Sequence, residues 1–398
     1  RVEGAPLTAV LPDFTGTVEA VDPGVESDAL DAGRWQRADA EAALVASALA
    51  GGAGAALLPY GVFRLTRTRV DVADAAPTWP VHTEIHLGAG PRLRVTSPVD
   101  GALRASREEP RIVLGDGWIL DLRGVEIDDR AALHVSAGDM VGWLPASDTD
   151  RVLTLGLRRS DAPERPPRAP GAALVEPERV PAWRRLTADP APLLGVPSRA
   201  QHDESADELA RRERIFAAAQ ERYYAHPPQI ERGWRHHLVD TTGRAYIDMV
   251  NNVAGLGHGH PRVADAAARQ LRTLGTNSRF LFRDLAEYSE RLLALMPQGS
   301  GLDTVLLVNS GSEAVDLAIR LAQAATGRRT IVALREAYHG WTMASDAVTT
   351  SAYDNPFALE TRPDWVHVAD VPNRYRGTYR GDDTAGRYLD DLSADLAA

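Results

Sequence analysis

Thr304-Val305-Leu306-Leu307-Val308, then Asn309-Ser310-Gly311-Ser312-Glu313-Ala314, and later Tyr338-His339-Gly340 carry the strongest signal in this chain. The first five residues form a short, β-branched, apolar run, the pattern of a strand buried on both faces of a parallel sheet. Asn309 to Ser312 punctuate it. From Glu313 the apolar positions Ala314, Leu317, Ala318, Leu321 and Ala322 recur at helical spacing, and Gly327 stands where a helix stops. A second apolar strand, Thr330 to Leu334, follows, so the spacing predicts a βαβ unit. Such a unit places Ser310, Gly311 and Ser312 at a helix N-terminus, where free backbone N–H groups and the helix dipole favour a phosphate. The second strand delivers Tyr338, an aromatic face able to stack on a planar ring, with His339 beside it. A phosphate cradle next to a stacking platform points to a phosphorylated aromatic cofactor. Ser310-Gly311-Ser312-Glu313-Ala314 alone is equally a tight strand-to-helix connection; the whole constellation is more specific.

Asn309 to Ala314, the helix after them and Tyr338-His339-Gly340 together resemble the fold-type I, class III pyridoxal-phosphate (PLP) aminotransferases. The resemblance runs upstream through Asn251-Asn252-Val253, Gly257-His258-Gly259-His260-Pro261 and Asn277-Ser278-Arg279-Phe280-Leu281. Downstream it runs through Pro363 to Val368, and it covers the chain from Leu209 onward. Within the class, the Asn251 and Asn277 runs look most similar to the phospho-lyases of phosphoethanolamine and phosphohydroxylysine. By position, the resemblance implies that Gly311 and Ser312, with Ser310, hold the PLP phosphate. It implies that Tyr338 stacks on the ring with His339 packed beside it, that Asn251 lies at the substrate entrance, and that Arg279 and Phe282 approach the neighbouring subunit's pocket. It also implies a homodimer acting on a small amine and a keto acid. His258 and His260 suggest a metal pair, but no third ligand is in sight, so a structural loop is expected and no metal site is assigned.

The chain departs from that family in one decisive respect. It contains no lysine; all 44 residues counted as Lys+Arg are arginine. PLP chemistry needs a lysine amine to bond the cofactor and to move the proton from the substrate's α-carbon. In the class, that lysine and the acidic partner of the ring nitrogen come well after Tyr-His-Gly. The expectation is therefore an internal fragment whose parent is the enzyme, with no catalytic residue of its own; the alternative is a degenerate, lysine-free relative.

Composition bounds the remainder. At 398 residues and 44% hydrophobic, the chain has material for two or three cored domains. The absence of cysteine excludes a disulfide framework and a cysteine metal site. The net charge of −11 argues against nucleic acid, and no apolar stretch approaches the length of a membrane span. A cytoplasmic protein is expected.

Upstream of the aminotransferase-like region, residues 1–55 contain one predicted helix, Ala38 to Leu49, and no recognisable function. Residues 56–158 read as short strands broken by turns: Leu93 to Val95, Gly101 to Leu103, Arg111 to Leu114, Trp118 to Leu122 and Val141 to Leu144. They predict a small all-β domain. Its turns Pro98-Val99-Asp100-Gly101 and Val135 to Gly142, with His86-Leu87-Gly88, resemble the M23 (lysostaphin-like) peptidase domain, a barrel-sandwich fold. A zinc peptidase of that family needs His-x-x-x-Asp and a later His-x-His. Here Gly90 stands four places after His86, and no histidine lies between Asp150 and Gly156. His82 and His134 do not complete a site, so a silent scaffold is expected. Residues 159–200, with Pro163-Glu164-Arg165-Pro166-Pro167, read as a Pro/Arg-rich linker whose Ala191 to Gly195 docks back onto a neighbour. A charged helix from Asp207 and a hairpin around Asp240 to Gly243 then open residues 201–398, the N-terminal part of an α/β fold-type I domain. The order resembles fusions of a kinase-like, a lysostaphin-like and an aminotransferase domain, which implies a phosphotransferase upstream. Two classes of function remain in view: a PLP enzyme (a transaminase, alternatively a phospho-lyase of a phosphorylated amino alcohol), or a non-catalytic scaffold of decayed modules.

Overall fold

The computed structural model describes residues 7–70, 78–104, 110–162, 174–200, 205–218, 224–251 and 253–397. Its contacts divide into two units, Arg1–Gly275 and Thr276–Ala398.

In the first unit, alternation at period two decides which face of each strand is apolar. Leu120 and Leu122 of Trp118–Arg123, Leu153 and Leu155 of Arg151–Arg159, and Ile85 and Leu87 of Thr83–Leu87 share one buried cluster. The sheet runs, in spatial order, Val18–Ala20, Ala55–Leu58, Thr83–Leu87, Arg151–Arg159, Trp118–Arg123, Arg111–Val113, Gly101–Arg104 and His134–Val135, with Thr187–Ala188 beside Arg151–Arg159. Only its first pair is parallel. A three-stranded sheet of Leu93–Thr96, Met140–Leu144 and Glu126–Ile127 contributes Val95, Val141 and Leu144 to the same core. On the opposite face, Ala56 and Leu58 pack with Trp35, Leu44 and Val45, the last two from the helix Ala40–Ala50. All five expected β segments form strands, and the two expected turns meet: Asp100 Oδ1 accepts from Ala137 N–H at 2.7 Å and Gly138 N–H donates to Ser97 O at 2.8 Å.

The structure draws the expected boundaries differently. Position 55 opens the strand Ala55–Leu58, and Val18–Ala20 of the N-terminal segment pairs with it, so the described residues 7–55 pack into the β core. The span 159–200 is not a spacer in its described parts. Leu174–Val175 pairs with Trp79–Pro80, Val180–Leu186 is helical, and Val175, Leu194 and Val196 are buried. Leu194 O accepts from Leu7 N–H at 2.8 Å, the docking expected of Ala191 to Gly195. Proline density misled because short apolar anchors outweigh it; Pro163 to Pro167 lie outside the described residues. Position 201 is not a boundary of the contact units either. The hairpin His237–Asp240 and Ala245–Ile247, extended by Ile230–Trp234, groups with the β core through Arg232, whose Nη1 donates to Asp31 at 2.8 Å, and through Trp79 Nε1, which donates to Thr242 O at 2.8 Å.

The second unit is α/β. Ile331–Leu334 and Val366–Ala369 pair in parallel. The helices Gly311–Thr326 and Met343–Val348 cover them, burying Ile319, Ala333, Val348 and Val366 together. Gly327 ends the first of these helices at φ 70°, as its place in the sequence predicts. The expected strand Thr304 to Val308 does not form: the segment joins no ladder, and Leu306 and Leu307 are exposed. A run suited to burial on both faces needs partner strands on both sides, and among the described residues none pairs with it.

Candidate functional site

The helix Gly311–Thr326 starts at Ser310, whose hydroxyl accepts from Glu313 N–H at 3.1 Å. The Glu313 carboxylate reaches back to Asn309, accepting from its N–H at 2.8 Å and its side-chain amide at 3.2 Å. This is a capping box displaced by one residue, and it closes the turn on itself. The backbone N–H groups of Gly311 and Ser312 have no hydrogen-bond partner among the described residues. A Cβ placed on Gly311 meets nothing within 4 Å, so the side-chain position at the first residue of the helix is open. Ser310→Ala removes the cap and is expected to cost the second unit about 1 kcal/mol, read as a lower urea midpoint at unchanged m-value.

The second strand's exit loop lies against this turn. Trp341 N–H donates to Ser312 Oγ at 3.3 Å, and Thr342 Oγ1 lies 3.3 Å from Ser312 O. Gly340, at φ 130°, packs so tightly that an added Cβ would sit 2.5 Å from Ser312 Oγ. The loop is fastened from behind by Thr349, buried, which accepts from His339 N–H at 3.0 Å. Tyr338 remains 56% exposed beside the open turn, while His339 is half-buried.

Of the expected site residues, the structure thus brings the Ser310-Gly311-Ser312 turn and the Tyr338-His339-Gly340 loop together. Arg279 is exposed, with its N–H donating to Asn277 at 3.0 Å, and Phe282 precedes the helix Arg283–Leu293. No hydrogen bond or ion pair joins either to the turn among the described residues. Asn251 belongs to the first unit, where its N–H donates to Asp248 Oδ1 at 2.9 Å; Asn252 lies outside the described residues. Asp248 also receives His258 Nε2 at 2.6 Å, and Arg235 N–H donates to His258 O. N–H groups of Asn251 and Val250, with His258, hold the Asp248 carboxyl well below its usual range. His258 thereby clasps a loop. No group of three metal-ligating side chains occurs among the described residues.

Sequence reasoning missed a second cluster. Glu84 and His86 alternate with Ile85 and Leu87 along the strand Thr83–Leu87, and His82 immediately precedes it, so the three share the face opposite Ile85 and Leu87. Glu84 receives His82 Nε2 at 2.8 Å and His86 Nε2 at 3.2 Å, with Arg64 Nη2 at 3.7 Å. Val152 and Thr154 pair directly with His86 and Glu84. The alternation His-x-Glu-x-His was the available signal. His86 also lines a cavity of about 680 Å³ with Trp35, Glu41, Arg67 and Asp150.

Comparison with known proteins places the C-terminal part. Residues 218–395 match the family described as aminotransferase class-III. It is similar to an alanine–glyoxylate aminotransferase 2-like protein of Drosophila melanogaster, 40% identical over 169 residues, covering 42% of this chain and 34% of that protein. An ethanolamine-phosphate phospho-lyase homolog of Caenorhabditis elegans is 36% identical over 170 residues, covering 43% of this chain and 36% of its own length. Among solved structures, a phospholyase from Arthrobacter in complex with phosphoethanolamine is 31% identical, with a TM-score of 0.42, covering 48% of this chain and 43% of its own. The chain spans about a third of the length of these curated relatives. No helix among the described residues is long and apolar enough to cross a membrane.

Proposed function

We propose that the second unit is the phosphate-and-ring half of a PLP site, in a protein that transfers an amino group between an amine or amino acid and a keto acid. The observation carrying this reading is the docking of the Tyr338-His339-Gly340 loop on the open helix N-terminus at Gly311 and Ser312. The residues fit the phosphate and the ring: two N–H groups at the helix start have no partner among the described residues, the Cβ position of Gly311 is open, and the exposed Tyr338 lies two residues before Gly340, which packs on Ser312. They do not fit covalent attachment, because none of the 398 residues is lysine. PLP, when bound, supplies an electron-sink ring that stabilises a carbanion at the substrate's α-carbon. Here Gly311 and Ser312 N–H groups would bind the phosphate, Ser312 Oγ would offer its proton to it, and Tyr338 would orient the ring.

The runner-up is elimination of phosphate from a phosphorylated amino alcohol, favoured by the similarity to the Caenorhabditis elegans phospho-lyase homolog. In the same reading the protein is a cytoplasmic homodimer, and the β unit is a silent M23-like scaffold. Val152 and Thr154, which face His86 and Glu84, supply no zinc-binding imidazole.

The test is equilibrium dialysis of this chain against PLP and against unphosphorylated pyridoxal. PLP is expected to bind, and pyridoxal to bind at least about tenfold more weakly. Gly311→Asp, whose carboxylate suits a helix start but repels a phosphate, is expected to remove the difference. Equal binding of the two ligands overturns the phosphate assignment. Phosphate release against alanine formation, given phosphoethanolamine and pyruvate with PLP, separates the two reactions.

A further inference from the structure

Asp316 lies in the second turn of the helix Gly311–Thr326, where its short carboxylate favours neither the dipole nor the helical backbone as strongly as a place in the first turn would. It is instead spent across the unit. Its Oδ1 accepts from Thr342 Oγ1 at 2.8 Å and from Ser345 N–H at 2.7 Å. Thr342 caps the helix Met343–Val348, exchanging hydrogen bonds with Ser345: Thr342 N–H donates to Ser345 Oγ at 3.0 Å, and the two hydroxyls lie 2.7 Å apart. Ser345 is 0% exposed, and its carbonyl lies 2.9 Å from the Thr349 hydroxyl, which holds His339 and lies 3.0 Å from Gly340 O.

We infer that Asp316 is a positioning residue, a latch that holds the Tyr338-His339-Gly340 platform in register with the Gly311-Ser312 turn. The inference rests on the proposed cofactor reading for its purpose, and on the hydrogen bonds for its existence. Apart from Thr342 Oγ1, which Asp316 holds and which lies 3.3 Å from Ser312 O, the direct links between loop and turn are the hydrogen bond of 3.3 Å from Trp341 N–H to Ser312 Oγ and the close approach of Gly340. Both presuppose that the Met343–Val348 helix is docked, and Asp316 is the carboxylate that docks its cap. Cutting the latch leaves the phosphate N–H groups in place and frees the ring platform. A low-dielectric, well-satisfied network of this kind rigidifies a site when complete and loosens it when one member is lost.

Asp316→Ala and Asp316→Asn separate this from a general structural role. In equilibrium dialysis, Asp316→Ala is expected to weaken PLP by at least about tenfold while leaving inorganic phosphate nearly unchanged. Asp316→Asn keeps an oxygen at the same place and is expected to restore PLP binding. Amide hydrogen exchange is expected to quicken by about tenfold or more at Trp341 and Ser345 in the alanine variant, and to stay as in the wild type along the middle of the Gly311 helix. Unchanged PLP binding in Asp316→Ala, parallel loss of phosphate and PLP, or an asparagine variant as weak as alanine overturns the inference. If the wild type binds no PLP, the cofactor reading fails, and exchange at Trp341 and Ser345 still decides whether the latch exists.

Discussion

Gly340→Ala is expected to destabilise the second unit by about 3 kcal/mol or more, and to abolish whatever the Ser312 turn and Tyr338 bind jointly. The cost has two sources. A Cβ on Gly340 would stand 2.5 Å from Ser312 Oγ, 2.6 Å from Ser345 Oγ and 2.9 Å from Ser312 Cα. The two hydroxyls could rotate, but Ser312 Cα belongs to helix backbone and cannot yield without moving the turn. In addition, φ of 130° lies where L-residues are strained. Gly327 provides the control: it has φ 70° but nothing within 4 Å of an added Cβ. Gly327→Ala is therefore expected to cost only the backbone strain, about 1 kcal/mol. Urea unfolding of both variants, followed at Trp341 and Trp365, measures the difference. Equal destabilisation at the two positions would mean that the loop does not pack on Ser312 as described.

Gly340 also shows what can be read from sequence and what cannot. Residue types local to one turn are readable: Ser310, Gly311 and Ser312 as small residues at a helix start, Gly327 as terminator, and Asp240 to Gly243 as a hairpin turn. Their conformations follow from the side chain and the backbone within a few residues. The five β segments are readable for the same reason, since period-two burial is local. Features that depend on distant partners are not. Asp316 looks like any helix-surface acid until Thr342 and Ser345 stand beside it. Thr304 to Val308 carries a strand's pattern, but a strand exists only in a ladder, and residues 23 positions or more away would have to supply one. The span 159–200 reads as linker because proline dominates its composition, whereas Val175 and Leu194, few and well placed, decide its packing. Arg64 and Glu84 meet across 20 residues of sequence, and nothing local announces the pair.

That pair carries the second large effect. Glu84→Gln is expected to destabilise the first unit by about 3 to 5 kcal/mol near neutral pH, because it strips the charge partner from a buried guanidinium. Arg64 is 1% exposed, and neither of its Nη atoms has a hydrogen-bond partner among the described residues. Only the nearby charges of Glu84 and Glu41 compensate its burial, which lowers its proton affinity. For Glu84 itself, burial pushes the carboxyl up, but hydrogen bonds from His82 and His86 and the Arg64 charge outweigh burial and hold it well below the usual carboxylate range. The sign of the pH dependence follows. A carboxyl whose folded proton affinity is depressed contributes stability that is complete above its unfolded value, about 4.3 for glutamate, and is lost as pH falls below it toward the folded value. The gap between wild type and Glu84→Gln is therefore expected to be widest near neutrality and to narrow in acid, measured by urea unfolding across that range. The double variant Arg64→Met, Glu84→Gln is expected to recover part of the loss, since it removes the stranded charge along with its partner. A gap that widens as pH falls, or a double variant that merely adds the two single losses, would show that Glu84 does not neutralise Arg64 in the folded chain.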